Sequence, residues 1–194
     1  FANPLNGKNS ITELIQSLPD ILMGKELREF IELYKTAIRE KKMIIWMIGA
    51  HTIKCGLNPI IIDLMKNGLI NHLAMNGAGA IHDVEIAMWG VTSEDVASGL
   101  KDGSFGMNRD TAEFLNLALS DNFKNDLGYA EIIAQKLLEE KATHQELSIL
   151  ATAYQNDIPI SLHPALGTEI IHQHPNFNGA AFGEKSLIDF QIFA

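Results

Sequence analysis

The chain has 194 residues, is 46% hydrophobic and carries a net charge of −9. That is enough apolar material for one substantial core, and the negative balance excludes nucleic acid and anionic membrane as natural partners. The single Cys55 excludes an internal disulfide framework and fits a reducing, cytoplasmic setting. No apolar run approaches the ~18 residues that a bilayer span requires. The acidity suits a cationic substrate such as a polyamine, and equally an ordinary solubility charge.

The opening FANPLNGKNS has neither a basic n-region nor an initiator Met, so it reads as a missing beginning more than a signal peptide. Ser10 with Glu13 is a capping box for a short helix through Leu18, which Pro19 follows. Residues 25–39 are amphipathic: Leu27, Phe30, Ile31, Tyr34 and Ile38 share one face, and Glu29, Glu32, Lys35 and Arg39 the other. These helices read as an N-terminal cover, on a sheet or on a neighbouring subunit.

The centre of the chain is residues 43–89. Residues 43–48 are an unbroken apolar run, bounded by charge and by Gly49, which suits a strand buried on both faces. Residues 56–66 predict a helix with Leu57, Ile60, Ile61, Leu64 and Met65 inward and Pro59 in the first turn. Asn67-Gly68 ends it, and residues 69–75 predict a second strand. Asn76, Gly77, Ala78, Gly79 and Ala80 then read as a glycine loop before another helix. The unit implies parallel strands joined by a crossover.

Small residues at a strand-to-helix junction let backbone approach a ligand, and the following helix N-terminus favours negative charge. Gly77-x-Gly79-x-x-His82 is therefore either a dinucleotide loop with its third glycine replaced or a tight turn. Gly49, Ala50, His51 and Thr52 form a second such junction. Two strand ends of this kind on adjacent parallel strands make the crevice where open α/β sheets bind a cofactor.

Further on, Thr92, Ser93, Glu94 and Asp95 cap a short helix through Leu100. Residues 107–119 predict a helix with Ala112, Phe114, Leu115 and Leu119 inward, and residues 121–126 a polar connection. Residues 129–140 predict a helix burying Tyr129, Ile132, Ile133 and Leu137, and residues 144–154 another. Residues 158–162 predict a third buried strand, with His163 at its C-terminal end. Residues 186–193 close the chain as a helix or a strand. His72 reads as structural and His144 as an exposed helix residue. His163, Glu169, His172 and His174 are candidates to line a pocket, with a structural role open for each. Without an HExxH or a cysteine pair, no metal site is assigned.

In order, IGAHTIKCGLNPII, NGLINHLAMNGAGAIHD, GSFGMNRDTAEFLNLAL, YAEIIAQKLLEE and ILATAYQNDIPISLHPALG resemble the core of the deoxyhypusine synthase family. The family's landmarks are a Thr-Ser-Asn turn, a Thr-Ala-Gly-Gly loop followed by two acids, and a W-A-x-x-N-x-I-P-V-x-x-P-A-L segment. The resemblance spans residues 42–194. It implies an α/β, Rossmann-like parallel sheet flanked by helices, in one NAD-binding domain covered by helices over residues 1–41. It further implies NAD at Gly49, Ala50, His51, Thr52 and Asn76 to Ala80. A polyamine would be held by Asp83, which matches the second family acid, together with His163, Glu169, His172 and His174; Asp83 reads equally as a helix N-terminal acid. Lys54 and Cys55 stand where the family has small residues. The family's nucleophilic lysine lies beyond the DFQIFA segment, so residues 1–194 contain no candidate for it, and the domain is expected to continue. The activity implied is NAD-dependent transfer of an aminobutyl group from spermidine to a translation-factor lysine or a diamine, in a homotetramer. The alternative is a non-catalytic NAD- or polyamine-binding homologue acting as sensor or scaffold.

Overall fold

The structure is a computed structural model, described for all residues except 1, 2, 5, 6, 93 and 123. The Ser93 part of the cap expected over residues 92–95, and the Phe123 part of the connection over 121–126, lie outside the described residues. The chain divides into two compact units, Phe1–Ile44 and Ile45–Ala194.

In the first unit, α1 (Ile11–Ser17) begins with the capping box read from the sequence: Glu13 N–H donates to Ser10 Oγ, and Ser10 N–H donates to Glu13 Oε2. Arg28 of α2 (Leu22–Arg39) donates to the Leu18 carbonyl at 2.7 Å and to Asp20 at 2.8 Å, which satisfies acceptors left free where α1 ends. Leu27, Phe30 and Leu33 of α2 are exposed.

The second unit is an α/β structure: a small three-stranded parallel sheet flanked by helices. Its strands are β1 (Ile45–Ile48), β2 (His72–Asn76) and β3 (Ile160–His163), in the order β1-β2-β3. Ile48 pairs with Met75, and Asn76 with His163, so all three strands end along one edge. Between β1 and β2 run α3 (Ala50–Lys54) and α4 (Asn58–Lys66). Between β2 and β3 run α5 (Gly77–Trp89), α6 (Val96–Asp102), α7 (Arg109–Asp121), α8 (Tyr129–Glu139) and α9 (Ile149–Gln155), and α10 (Gly179–Phe193) closes the chain.

One sheet face carries Leu73, Met75, Ile160 and Leu162 into a core shared with α5, α7, α8 and α9. The alternate residues His72, Ala74, Ser161 and His163 point to the other face. There Ser161 Oγ lies 3.0 Å from both His72 Nε2 and His163 Nε2, and the Phe193 ring stands edge-on to both imidazoles. His72 is thereby buried in a network with Ser161 and Phe193.

Several expectations change. The run 43–48 is not buried on both faces: β1 is an edge strand, with Ile45 40% and Met47 75% exposed. In α4, Ile61, Ile62 and Met65 are buried, while Leu57 and Ile60 face outward. The helix expected over 144–154 is broken: a 3-10 turn, Gln145–Leu147, precedes α9, because Ser148 caps α9 and cannot also continue a helix through itself. The ambiguous C-terminal segment is helix α10. The glycine segment is not a loop. Asn76 caps α5 by accepting the Gly79 N–H at 2.9 Å, so Gly77 and Gly79 already belong to its first turn. That helix is buried nearly all round, as a central helix should be. Among the described residues, no helix is long and apolar enough to cross a membrane.

Candidate functional site

The strand ends bring the two sequence-predicted junctions together. Gly49 caps α3, placing Ala50, His51 and Thr52 in its first turn. A Cβ on Gly49 would sit 3.8 Å from Asn76 Nδ2, so the ends of β1 and β2 are immediate neighbours. Ala80 is fully buried, whereas Ala78 faces a cavity. A side chain at Gly79 would meet Met75 Sδ at 3.0 Å, so that glycine answers to helix–strand packing rather than to a ligand's approach.

The start of α5 is already covered by a carboxylate. A Cβ on Gly77 would lie 2.5 Å from Glu169 Oε1, so this glycine forms a cradle that Glu169 fills. Oε1 accepts from Thr168 Oγ1 at 3.0 Å and from the Ala165 N–H at 3.3 Å. Oε2 lies 3.0 Å from His172 Nε2, with both side chains more than nine-tenths buried. The Gly167 N–H donates to His172 Nδ1 at 3.0 Å, which assigns the proton to Nε2. Burial lowers the His172 pKa more than Glu169 raises it, so the imidazole is neutral at pH 7. Neither Oε2 nor Nε2 makes a well-aligned hydrogen bond. The Glu169 carboxyl group thus stands against the N-terminal end of α5, with two donors on Oε1 and its side chain only 5% exposed.

Beside this point lies a cavity of about 210 Å³. Ala78, Ile81, His82 and Glu85 of α5 form one wall, and Thr168, Glu169 and Ile170 another. Lys54, Glu94 and Phe105 complete its polar and aromatic lining. His82 Nδ1 is 2.8 Å from Glu85 Oε2, and Thr111 Oγ1 donates to Glu85 Oε1 at 3.2 Å. Glu94 accepts the Gly106 N–H with both oxygens, at 2.8 and 3.0 Å. The Gly106 carbonyl in turn accepts from Gln173 Nε2 and lies 3.0 Å from His174 Nε2. This clamp fixes the cavity rim. Among the described residues, no group of three or more metal-ligating side chains is arranged to hold an ion.

The substrate residues expected from the sequence are therefore dispersed. Glu169 lines the cavity, and His172 packs behind it. His174 clamps the Gly106 loop. His163 points to the opposite sheet face, beside an apolar hollow of about 260 Å³ formed with Met47, Ala74 and Phe193. Asp83 is the clearest correction. It is 0% exposed and bonded to Ser148 Oγ, Ile149 N–H and Leu150 N–H, so it caps α9 inside the core. Sequence reasoning passed over His82, Glu94, Phe105 and Thr168. Only the His82–Glu85 spacing, i to i+3 on a helix, was a signal that could have found any of them.

No family model matches the chain, and no curated protein matches it. A solved structure of a conserved LOR/SDH-like protein from Methanococcus maripaludis S2 is similar over 92% of this chain, at 16% identity and a TM-score of 0.48. The chain spans 47% of that protein's length. The expected kinship with deoxyhypusine synthases is overturned: no family model, that family's included, matches the chain. The collinear motifs that suggested the kinship consist largely of apolar strands, small residues at strand ends and capped helices. Any parallel α/β unit needs these.

Proposed function

We propose that the chain is a Rossmann-like, NAD-binding α/β module of an enzyme that acts on a small amine. The observation that carries this reading is the position and charge of the cavity. It lies at the C-terminal ends of the parallel strands, beside the first turn of α5, which is where open α/β sheets hold ligands. Among the described residues, its lining sets Glu94 and Glu169, with Glu85 behind His82, against Lys54. An ammonium group gains from charge-assisted hydrogen bonds there, whereas a phosphorylated substrate meets net repulsion.

The residues at the strand ends fit a dinucleotide. Gly77 offers a side-chain-free cradle at a helix N-terminus, and the Glu169 carboxylate stands in it as an anion would. Gly49 and Asn76 are adjacent to that cradle and would position the rest of the cofactor. When bound, NAD would supply a hydride acceptor for the carbon that carries the amine.

Calorimetric titration tests both halves. NAD and putrescine, used as a dicationic probe, should each bind the chain at a single site. Absence of binding heat for NAD at millimolar concentration removes the cofactor, and absence for putrescine removes the amine.

A further inference from the structure

We propose that His82 is the acid–base group of the cavity and that Glu85 and Thr111 are its positioning residues. The inference rests on the amine reading of the cavity and deepens it.

His82 and Glu85 are one turn apart on α5 and meet at 2.8 Å through Nδ1 and Oε2. Glu85 is 1% exposed and cannot rotate freely, because Thr111 Oγ1 at the start of α7 holds its second oxygen at 3.2 Å. A carboxylate accepts, so Nδ1 of a neutral His82 must carry the proton and Nε2 must bear the lone pair. The His82 side chain is 20% exposed and lines the cavity, which makes Nε2 the nitrogen available to a ligand. A buried carboxylate behind an imidazole, with a third group orienting the carboxylate, is the arrangement that holds a histidine in one tautomer and balances the imidazolium that forms.

The cavity needs such a group. Its carboxylates hold an amine in the ammonium form, which has no lone pair and can neither attack a carbon nor support loss of hydride from its own carbon. Among the described residues lining the cavity, Lys54 is a cationic side chain, Glu94 and Glu169 are the amine's counter-ions, and Glu85 is engaged by His82 and Thr111. His82 is the remaining base. The step is a single proton transfer: the ammonium N–H bond breaks, its electron pair stays on nitrogen, and the proton bonds to His82 Nε2. The new imidazolium charge is balanced by Glu85, and the proton then passes to product or solvent water.

The test uses the whole chain labelled with 15N-histidine. Long-range proton–nitrogen spectra should find neutral His82 in the Nδ1–H form; an Nε2–H form overturns the proposal. Site-resolved mass spectrometry with diethyl pyrocarbonate should show His82 modified, and saturating putrescine should slow that modification several-fold while leaving His144 unaffected. An unchanged His82 rate with putrescine demonstrably bound also overturns the proposal. If putrescine does not bind at all, the amine reading fails separately, and the tautomer alone decides the acid–base pair. Thr111→Val keeps shape and removes the orienting hydroxyl. It should loosen the tautomer preference without altering NAD affinity, and a tautomer indifferent to it removes Thr111 from the positioning role.

Discussion

Asp83 and Ser148, 65 positions apart, are joined by a hydrogen bond of 2.6 Å from the serine hydroxyl to the carboxylate. The same carboxylate takes the Ile149 N–H at 2.8 Å, so a residue of the central helix α5 caps α9 from outside. Ser148 also caps α9 itself, by accepting the Ala151 N–H at 2.9 Å. Two polar side chains thereby satisfy the first-turn donors that would otherwise be buried without partners.

Asp83→Ala should therefore act on stability rather than on ligand binding. It strands the Ser148 hydroxyl and two amides in the core, at a cost of about 2–4 kcal/mol. Urea denaturation would read that loss. A fall in putrescine affinity without a fall in stability would instead place the carboxylate at the ligand.

A second buried acid gives the fold a pH dependence. Asp189 of α10 accepts the Leu162 N–H of β3 at 2.7 Å and the Ala130 N–H of α8 at 3.0 Å. Burial pushes its pKa up to about 7, and that of Asp83 to about 6. An acid whose pKa is raised by folding stabilises the protein fully below its unfolded value near 3.8, and that contribution fades as pH rises through the folded value. His72, His163 and His172 act in the opposite sense: burial lowers their pKa values, so their contribution is present above about 6.5 and fades below it. Comparison with Asp189→Asn isolates the acid. The variant should gain on the wild type between about pH 4 and about pH 7, by on the order of 4 kcal/mol in full. Parallel stability profiles in urea for the two proteins would contradict this.

The Gly77 cradle predicts a coupling. Gly77→Ala drives a methyl group into the Glu169 carboxylate and should cost about 1–3 kcal/mol. Glu169→Ala empties that space, so the double variant should recover most of the loss. Additive losses in a double-mutant cycle would mean that the two residues do not meet.

Local signals in the sequence carried the local structure. The Ser10–Glu13 box, the Asn67-Gly68 stop and the inward faces of α7 and α8 follow from spacing and capping, which are decided within one helical turn. The strand ends were legible in position but not in form. Gly77 and Gly79 read as a loop because glycines usually mark one, whereas the Asn76 cap starts the helix at Gly77, four residues before the expected start at Ile81. Asp83 was misassigned because its partners lie about 65 positions away, and nothing in the local chain distinguishes a carboxylate that caps another helix from one that faces a ligand. The cavity is harder still to read, since its walls come from α3, α5, α6 and the segment after β3. The resemblance to deoxyhypusine synthases erred for a related reason: shared supersecondary grammar is not shared descent.

Glu169→Gln separates the cofactor from the amine, because the two ligands carry opposite charge. The carboxylate now fills the Gly77 cradle at the positive end of α5 and also lines the cavity. Neutralising it removes a competitor for the diphosphate of NAD and a counter-ion for the amine. A charge at a partly buried helix terminus is worth on the order of 1 kcal/mol, which corresponds to several-fold in affinity. NAD should therefore bind several-fold more tightly to the variant, and putrescine several-fold more weakly. Salt should shrink the putrescine effect less than it would at a surface site, since the Glu169 side chain is only 5% exposed. A distorted fold would weaken both ligands together. Weaker NAD binding by a variant with unaltered stability would mean that Glu169 supports the cofactor site rather than standing in its place.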